Sequence, residues 1–406
     1  MKAGSAEDKK HICKQVKKQC KQDWIDWAEL SISNELDLRD KWLGIRNMKT
    51  KRAPQVFERN NRHGKPVSLG LQAEATADYL EQDQWAPISQ TYNGLHTIEA
   101  PPNLSPPTRF ISDPSGFNLQ DFTLRELRNY LKRCKNHKTP GPDELQMELF
   151  KWLDDENLEL VRAILNQWWR GETIPHEVLQ ARVASIYKKG DPRNPGNYRP
   201  ISLLNSIYKI YAALLQTRIS ATLDTLIQKT QFGFRKGKST TNALICIRRV
   251  LEVAEATQQK VFLTFLDWEK AFDKVRQDRL LQSLERIGCP AQVCKAIANL
   301  YSSPQFMVQI KEHCSQWKTQ DRGIRQGCPL SPYLFIVVMS IMFDDIHSTS
   351  NHTRGRLPHL DFTEILYADD TVLITDNAHA MNRLLKDVEE HASYMGLAFN
   401  SESVQR

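Results

Sequence analysis

At 406 residues, with 40% hydrophobic and 25% charged positions, the chain has the make-up of a soluble globular protein and the length of two or three subdomains. No stretch approaches the roughly 18 apolar residues that a membrane span needs, and the opening MKAGSAEDKKHICK has no apolar region of the secretory-signal kind. The net charge of +7 is carried by residues 1–66, where sixteen Lys and Arg face nine Asp and Glu, a surplus that suits either phosphate-backbone contact or a solvated face.

In chain order, Ile12 to Leu36 has helical spacing, Lys49 to Lys65 is polar and irregular, and Ala73 to Trp85 suggests another helix. Gln90 to Phe110 holds Pro101, Pro102, Pro106 and Pro107, which continue neither a helix nor a central strand. The main boundary is expected there, separating a basic, partly helical segment 1–100 from 101–260 and 261–406. From Thr123 the apolar spacing becomes dense. Leu124, Leu127, Tyr130 and Leu131 predict a helix ended by Thr139-Pro-Gly-Pro-Asp143, and helices follow over 144–154 and 156–170, with Trp168 and Trp169 as core residues. Arg182 to Tyr187 alternates as a strand, Lys188 to Pro192 is a turn, and Ile201 to Leu226 reads as one long helix. QFGFRKGKS (231–239) is a glycine-interrupted basic loop leading into a helix over 240–256. Val261 to Asp267 is the most strand-like run in the chain.

Helices are expected over 276–287 and 291–301, and Phe306–Ile310 with Ser315–Thr319 suggests a hairpin. Gly323 to Pro332 is a loop opening a helix, with Ser331 suited to the N-cap and Pro332 to the first turn. The mixture of helices and short antiparallel strands indicates an α+β fold. The eight cysteines form no Cys-x-x-Cys pair, which argues against zinc and for reduced thiols in an intracellular setting.

Phe362 to Thr375 (FTEILYADDTVLIT) reads as strand, tight turn, strand, with Asp369 and Asp370 at the tip. Adjacent carboxylates beside buried strands need something positive to neutralise them, and a divalent cation is the natural partner; a simple turn preference of Asp also fits. Asp267, at the end of the most strand-like run, is either a third ligand or the cap of the helix that follows. If the two strands are neighbours in one sheet, the three acids meet on one edge. Such a cluster suits two divalent ions about 3.5–4 Å apart, the arrangement of in-line phosphoryl transfer.

Taken in order and spacing, FLDWEKAFDKV (265–275), GIRQGCPLSP (323–332) and YADD (367–370) resemble the palm motifs of reverse transcriptases. YRPISLLN (198–205) and QFGFRKGKST (231–240) resemble the fingers motifs, and NHKTPGPDEL (136–145) resembles the preceding element of non-LTR, LINE-like retrotransposon proteins. The resemblance covers about 122–400. It implies a right-hand polymerase-like α+β fold, with an antiparallel palm sheet and helical and β-containing fingers.

The implied activity is RNA-directed DNA polymerisation with Mg2+ or Mn2+, an RNA template, a DNA primer and deoxynucleoside triphosphates as partners. Asp267, Asp369 and Asp370 match the metal-binding catalytic carboxylates. Phe272 matches the bulky gate beneath the incoming sugar, where RNA-dependent RNA polymerases place an Asp. Gln326 and Gly327 match the loop over the nascent base pair, while Arg199 and Arg235 match basic positions around the triphosphate. Lys189, Lys236 and Lys238 are lesser candidates for that role, and Arg325 is a candidate contact to template phosphate.

After GLAFN (396–400) the family pattern departs: Ser403 stands where a Lys is usual, and the primer grip, thumb and upstream endonuclease of the family are not found. The expectation is therefore fingers and most of a palm, with the thumb missing. Two readings follow, an RNA-directed DNA polymerase module or a truncated retroelement remnant that keeps the fold and nucleic-acid binding. A two-metal nuclease is disfavoured, because it has no use for the fingers motifs or Phe272.

Overall fold

The computed structural model describes residues 58–87, 110–349 apart from 112, and 361–400, with a few backbone positions between 18 and 23 and between 91 and 96. The chain divides into two units, Met1–Phe57 and Glu58–Arg406. The fold described below is that of the second. The helix expected over Ile12–Leu36, the proline-rich stretch and Ser403 lie outside the described residues.

The unit opens at Glu58 and not at residue 101. Residues 72–85 belong to its body: helix α1 (Gln72–Tyr79) and a π-helical turn (Leu80–Gln84) lay buried Leu80 and Trp85 against the interior. Trp85 meets Phe306 edge to face at 4.7 Å. Lys318 Nζ is 2.8 Å from Asp78 and 3.1 Å from Glu74, fastening α1 from outside.

Helix α2 (Leu124–Arg133) starts at a capping box, in which the Thr123 hydroxyl accepts from the Glu126 amide and the Glu126 carboxylate accepts from the Thr123 amide. Helix α3 (Asp155–Trp169) buries Trp168 and Trp169, as their apolar setting predicted. Strand β1 (Ala181–Tyr187) then pairs antiparallel with β2 (Tyr198–Leu204) over seven residue pairs. Here the structure departs from the expected helix over 201–226. Burial alternates along β2, and only after Asn205 does helix α4 (Ser206–Leu223) begin. Pro200 is tolerated because β2 is an edge strand, with β1 on one side only.

Helix α5 (Thr240–Ala256) follows the glycine-interrupted loop, and strand β3 (Phe262–Leu266) follows α5. Helices α6 (Gln277–Arg286) and α7 (Ala291–Leu300) lead to β4 (Gln305–Ile310), which joins β1 in parallel and so extends the first sheet. The hairpin expected beside β4 exists in shortened form, with His313–Cys314 and Lys318–Thr319 each pairing with β4.

Helix α8 (Ser331–Thr349) is apolar on every face and accordingly buried, with Leu334 to Met339 all at 2% exposure or less. Its first turn is closed by the Leu330 carbonyl, which accepts from Tyr333 and Leu334; Ser331 thus lies inside the helix instead of capping it. Strands β5 (Glu364–Tyr367) and β6 (Asp370–Thr375) form the expected hairpin, and helix α9 (Ala378–Met395) closes on Gly396 in the left-handed conformation. The second sheet runs β5-β6-β3. The six cysteines among the described residues are free thiols, and no described helix is long and apolar enough to cross a membrane.

Candidate active site

The second sheet brings two distant parts of the chain together. In the β3–β6 ladder Thr371 lies opposite Leu266, and Tyr367 pairs with Asp370 across the β5–β6 turn. One further step along the antiparallel register sets Asp267 opposite Asp370, with Asp369 next to it in the two-residue turn. Ala368, the other turn residue, takes φ +59°. That turn is held from below by Gln231, a fully buried residue whose Oε1 accepts from the Ala368 amide at 2.9 Å and whose Nε2 donates to the Ala368 carbonyl at 3.3 Å. Gly233 approaches so closely that a Cβ there would lie 2.2 Å from the Ala368 nitrogen.

Asp267 is a strand-end carboxylate and not a helix cap. The single turn after it, Ala271–Lys274, is preceded by Lys270 at φ +50°. Asp267 instead accepts from Asn400 Nδ2 at 3.0 Å, and its carbonyl accepts from the Asn400 amide at 2.9 Å. The GLAFN stretch thereby runs antiparallel to 267–269, with Trp268 bridged to Phe399 and their rings 4.9 Å apart.

Asp267 and Asp370 are exposed and Asp369 is half-buried. Partial desolvation at the tip, and then the like charges of Asp369 and Asp267, push the Asp370 carboxyl up; Lys188 opposes the shift. The three acids share an edge without closing on one point, and among the described residues no group of three His, Cys, Asp or Glu is already arranged around a metal. Their common edge, exposure and mutual repulsion fit a divalent cation.

Asp267 and Asp369 rim a cleft of about 810 Å³, and Asp370 stands outside its lining. Asp267, Asp369, Phe272, Arg199, Gln326 and Gly327 line it together, as does Lys189. Phe272 forms an aromatic floor, stacked on Phe335 at 4.5 Å and met edge-on by Phe234 at 6.0 Å. Gly327 has φ +120°, and a Cβ there would come within 2.4 Å of the Ser202 carbonyl oxygen. The Ser202 amide donates to the Gln326 carbonyl at 2.7 Å, which ties this loop to β2.

Two expected contacts are corrected. Arg235 is turned away from the cleft: its guanidinium grips both carboxylate oxygens of Asp224 at 3.0 Å and donates to the carbonyls of Asp224, Gln228 and Gln231. The fork is used up in tying the 231–239 loop to the end of α4. Arg325 lines the cleft wall but is 1% exposed, donates to the Leu179 carbonyl and lies 5.5 Å over the Tyr208 ring, a poor position for reaching a template phosphate. Lys236 and Lys238 are exposed and lie outside the cleft lining.

The site also contains residues that spacing alone did not single out. Asp273 is buried beneath the cleft, accepting from Trp85 Nε1 at 2.9 Å and Gln326 Nε2 at 2.8 Å. Burial pushes its carboxyl up to about 6, against these donors and Lys270. Lys270, whose own burial lowers its pKa, donates to Tyr79 and Gln84.

A family model described as reverse transcriptase (RNA-dependent DNA polymerase) matches residues 186–405. The chain belongs to the reverse transcriptase family. Its relatives include proteins of mobile elements. It is 29% identical over 347 residues to the RNA-directed DNA polymerase from mobile element jockey of Drosophila melanogaster, covering 82% of this chain and 35% of that protein. It is 27% identical over 278 residues to the transposon TX1 uncharacterized 149 kDa protein of Xenopus laevis, covering 68% and 21%. It is 24% identical over 281 residues to the Pol polyprotein of retrotransposable element R2DM of Drosophila melanogaster, covering 69% and 26%. The chain thus spans between 21% and 35% of the length of these relatives. In this reverse transcriptase chain the matched segment takes in both strands of the hairpin, β3 and every residue lining the cleft except Gln84.

Proposed function

We propose that this chain is the RNA-directed DNA polymerase module of a non-LTR retroelement, extending a DNA primer on an RNA template with deoxynucleoside triphosphates. The observation that carries the reading is the β3–β6 register, which pairs Leu266 with Thr371 and so brings Asp267 alongside Asp370, beside a cleft lined by Asp267, Asp369, Phe272 and Arg199. In this reading the β5-β6-β3 sheet with its helices is the palm, within 261–406, and the β1–β2 region belongs to fingers within 101–260.

Asp267, Asp369 and Asp370 hold divalent cations, Mg2+ or Mn2+. When bound, such ions activate the primer hydroxyl and stabilise the leaving pyrophosphate. Arg199 and Lys189, cations lining the same cleft, take the triphosphate; the guanidinium fork suits its oxygens. Phe272 presents a flat apolar face to the sugar and offers a 2′-hydroxyl no hydrogen-bond partner, only its bulk. Gly327 keeps the backbone low enough for a base pair to lie over the loop.

The test is primer extension by the purified chain on an RNA template with Mg2+, beside an Asp369→Asn control. Extension that depends on template, metal and Asp369 is the expected result. A chain that retains nucleic acid but extends no further than the D369N control rejects the polymerase reading in favour of a non-catalytic remnant.

A further inference from the structure

Gln326 meets the cleft through a primary amide, which can present either an acceptor oxygen or a donor nitrogen to a ligand. What lies behind it removes that ambiguity. Asp273 Oδ2 accepts from Gln326 Nε2 at 2.8 Å, and the other oxygen of the same carboxylate accepts from Trp85 Nε1 at 2.9 Å. An indole nitrogen only donates, and an ionised carboxylate only accepts. Asp273 is 3% exposed, so no solvent intervenes to loosen the geometry.

We infer that Asp273 is a positioning residue that sets the polarity of Gln326, holding the amide nitrogen inward so that its oxygen is the group offered to the cleft. A nucleotide group that meets the Gln326 oxygen is then a donor, a sugar hydroxyl or a base amino group. The chain of contacts begins at Trp85, so the segment ahead of the matched family region helps to shape the nucleotide site. This inference rests on the polymerase reading above.

Asp273→Asn separates the possibilities. Its single oxygen still serves Trp85, leaving an NH2 group facing Gln326, which turns the Gln326 oxygen inward and its nitrogen to the cleft. The expected result is a rise of about tenfold in KM for the nucleotide, the size of one lost hydrogen bond, with kcat changed much less. In a Gln326→Met background D273N is expected to add nothing further, because its effect passes through the amide. Additive losses in KM, or a fall confined to kcat, overturn the inference while leaving the polymerase reading intact. If D273N melts below the assay temperature, Gln326→Glu carries the test: it has no NH2 to give Asp273, and an unchanged KM in Q326E overturns the inference. A wild-type chain without extension above D369N overturns both together.

Discussion

Asp267 and Asn400 are joined twice, side chain to side chain at 3.0 Å and backbone to backbone at 2.9 Å. One oxygen of the carboxylate is thereby held. Asn400→Ala removes the side-chain bond and keeps the backbone pairing. We expect about a tenfold higher Mg2+ requirement for primer extension, in line with a hydrogen bond to a charged group. A metal titration of the two proteins checks this, and identical curves would show that the contact does not prepare Asp267.

Phe272 lies flat on Phe335, its centre 4.5 Å away. Replacing it with Val removes ring atoms from both the cleft floor and the packing beneath, at a cost of about 2–3 kcal/mol in stability. The gate role adds a second expectation, that Phe272→Val accepts ribonucleotides more readily. Competition between dNTP and rNTP measures it, and an unaltered preference would remove Phe272 from the gate.

Arg199, on strand β2, and Arg235, in the basic 231–239 loop, serve different ends. Arg199 is exposed in the cleft, whereas the Arg235 side chain is 9% exposed and bound to Asp224. Arg199→Ala is expected to raise KM for the nucleotide with little change in melting temperature. Arg235→Ala is expected to lower stability by about 1–3 kcal/mol, since four carbonyl and carboxylate acceptors lose their donor. Melting curves and steady-state kinetics on both variants distinguish the roles, and a KM effect in R235A without destabilisation would contradict this assignment.

Asp273, pushed up to about 6 by burial, makes the fold sensitive to pH. Its unfolded value is about 3.9, so between roughly pH 4 and 6 the folded chain holds a proton that the unfolded chain has released. Stability contributed by this group is therefore present at the acid end and falls as pH rises through that window. The difference in denaturation midpoint between wild type and Asp273→Asn, followed from pH 4 to 7, isolates it. A difference independent of pH would mean that Asp273 titrates as an ordinary carboxylate.

The hairpin tip, β3 and most helices were legible in the sequence, because their apolar periodicity is uninterrupted and their turns carry the expected residues. β2 was not. Its seven residues run into α4 with only Asn205 between, and Pro200 argues against a strand unless the strand is known to lie at an edge. The fate of Arg235 depends on Asp224, eleven residues earlier, and a basic loop looks the same whether its cations reach a ligand or the end of a helix. Trp85 and Asp273 are 188 residues apart, and no local pattern announces that they share a hydrogen bond.

The outer strand of the β5-β6-β3 sheet has a neighbour of its own. β5 is bordered by the segment around Gln231, with the Phe232 amide donating to the Leu366 carbonyl at 2.8 Å and the Leu366 amide to the Thr230 carbonyl at 2.9 Å. A strand left open at that border would template stacking of one copy upon another. With that border already taken, self-association through the β5 edge first has to peel away the loop that braces the Asp369 turn, so assembly along that edge and loss of the turn's geometry become a single event.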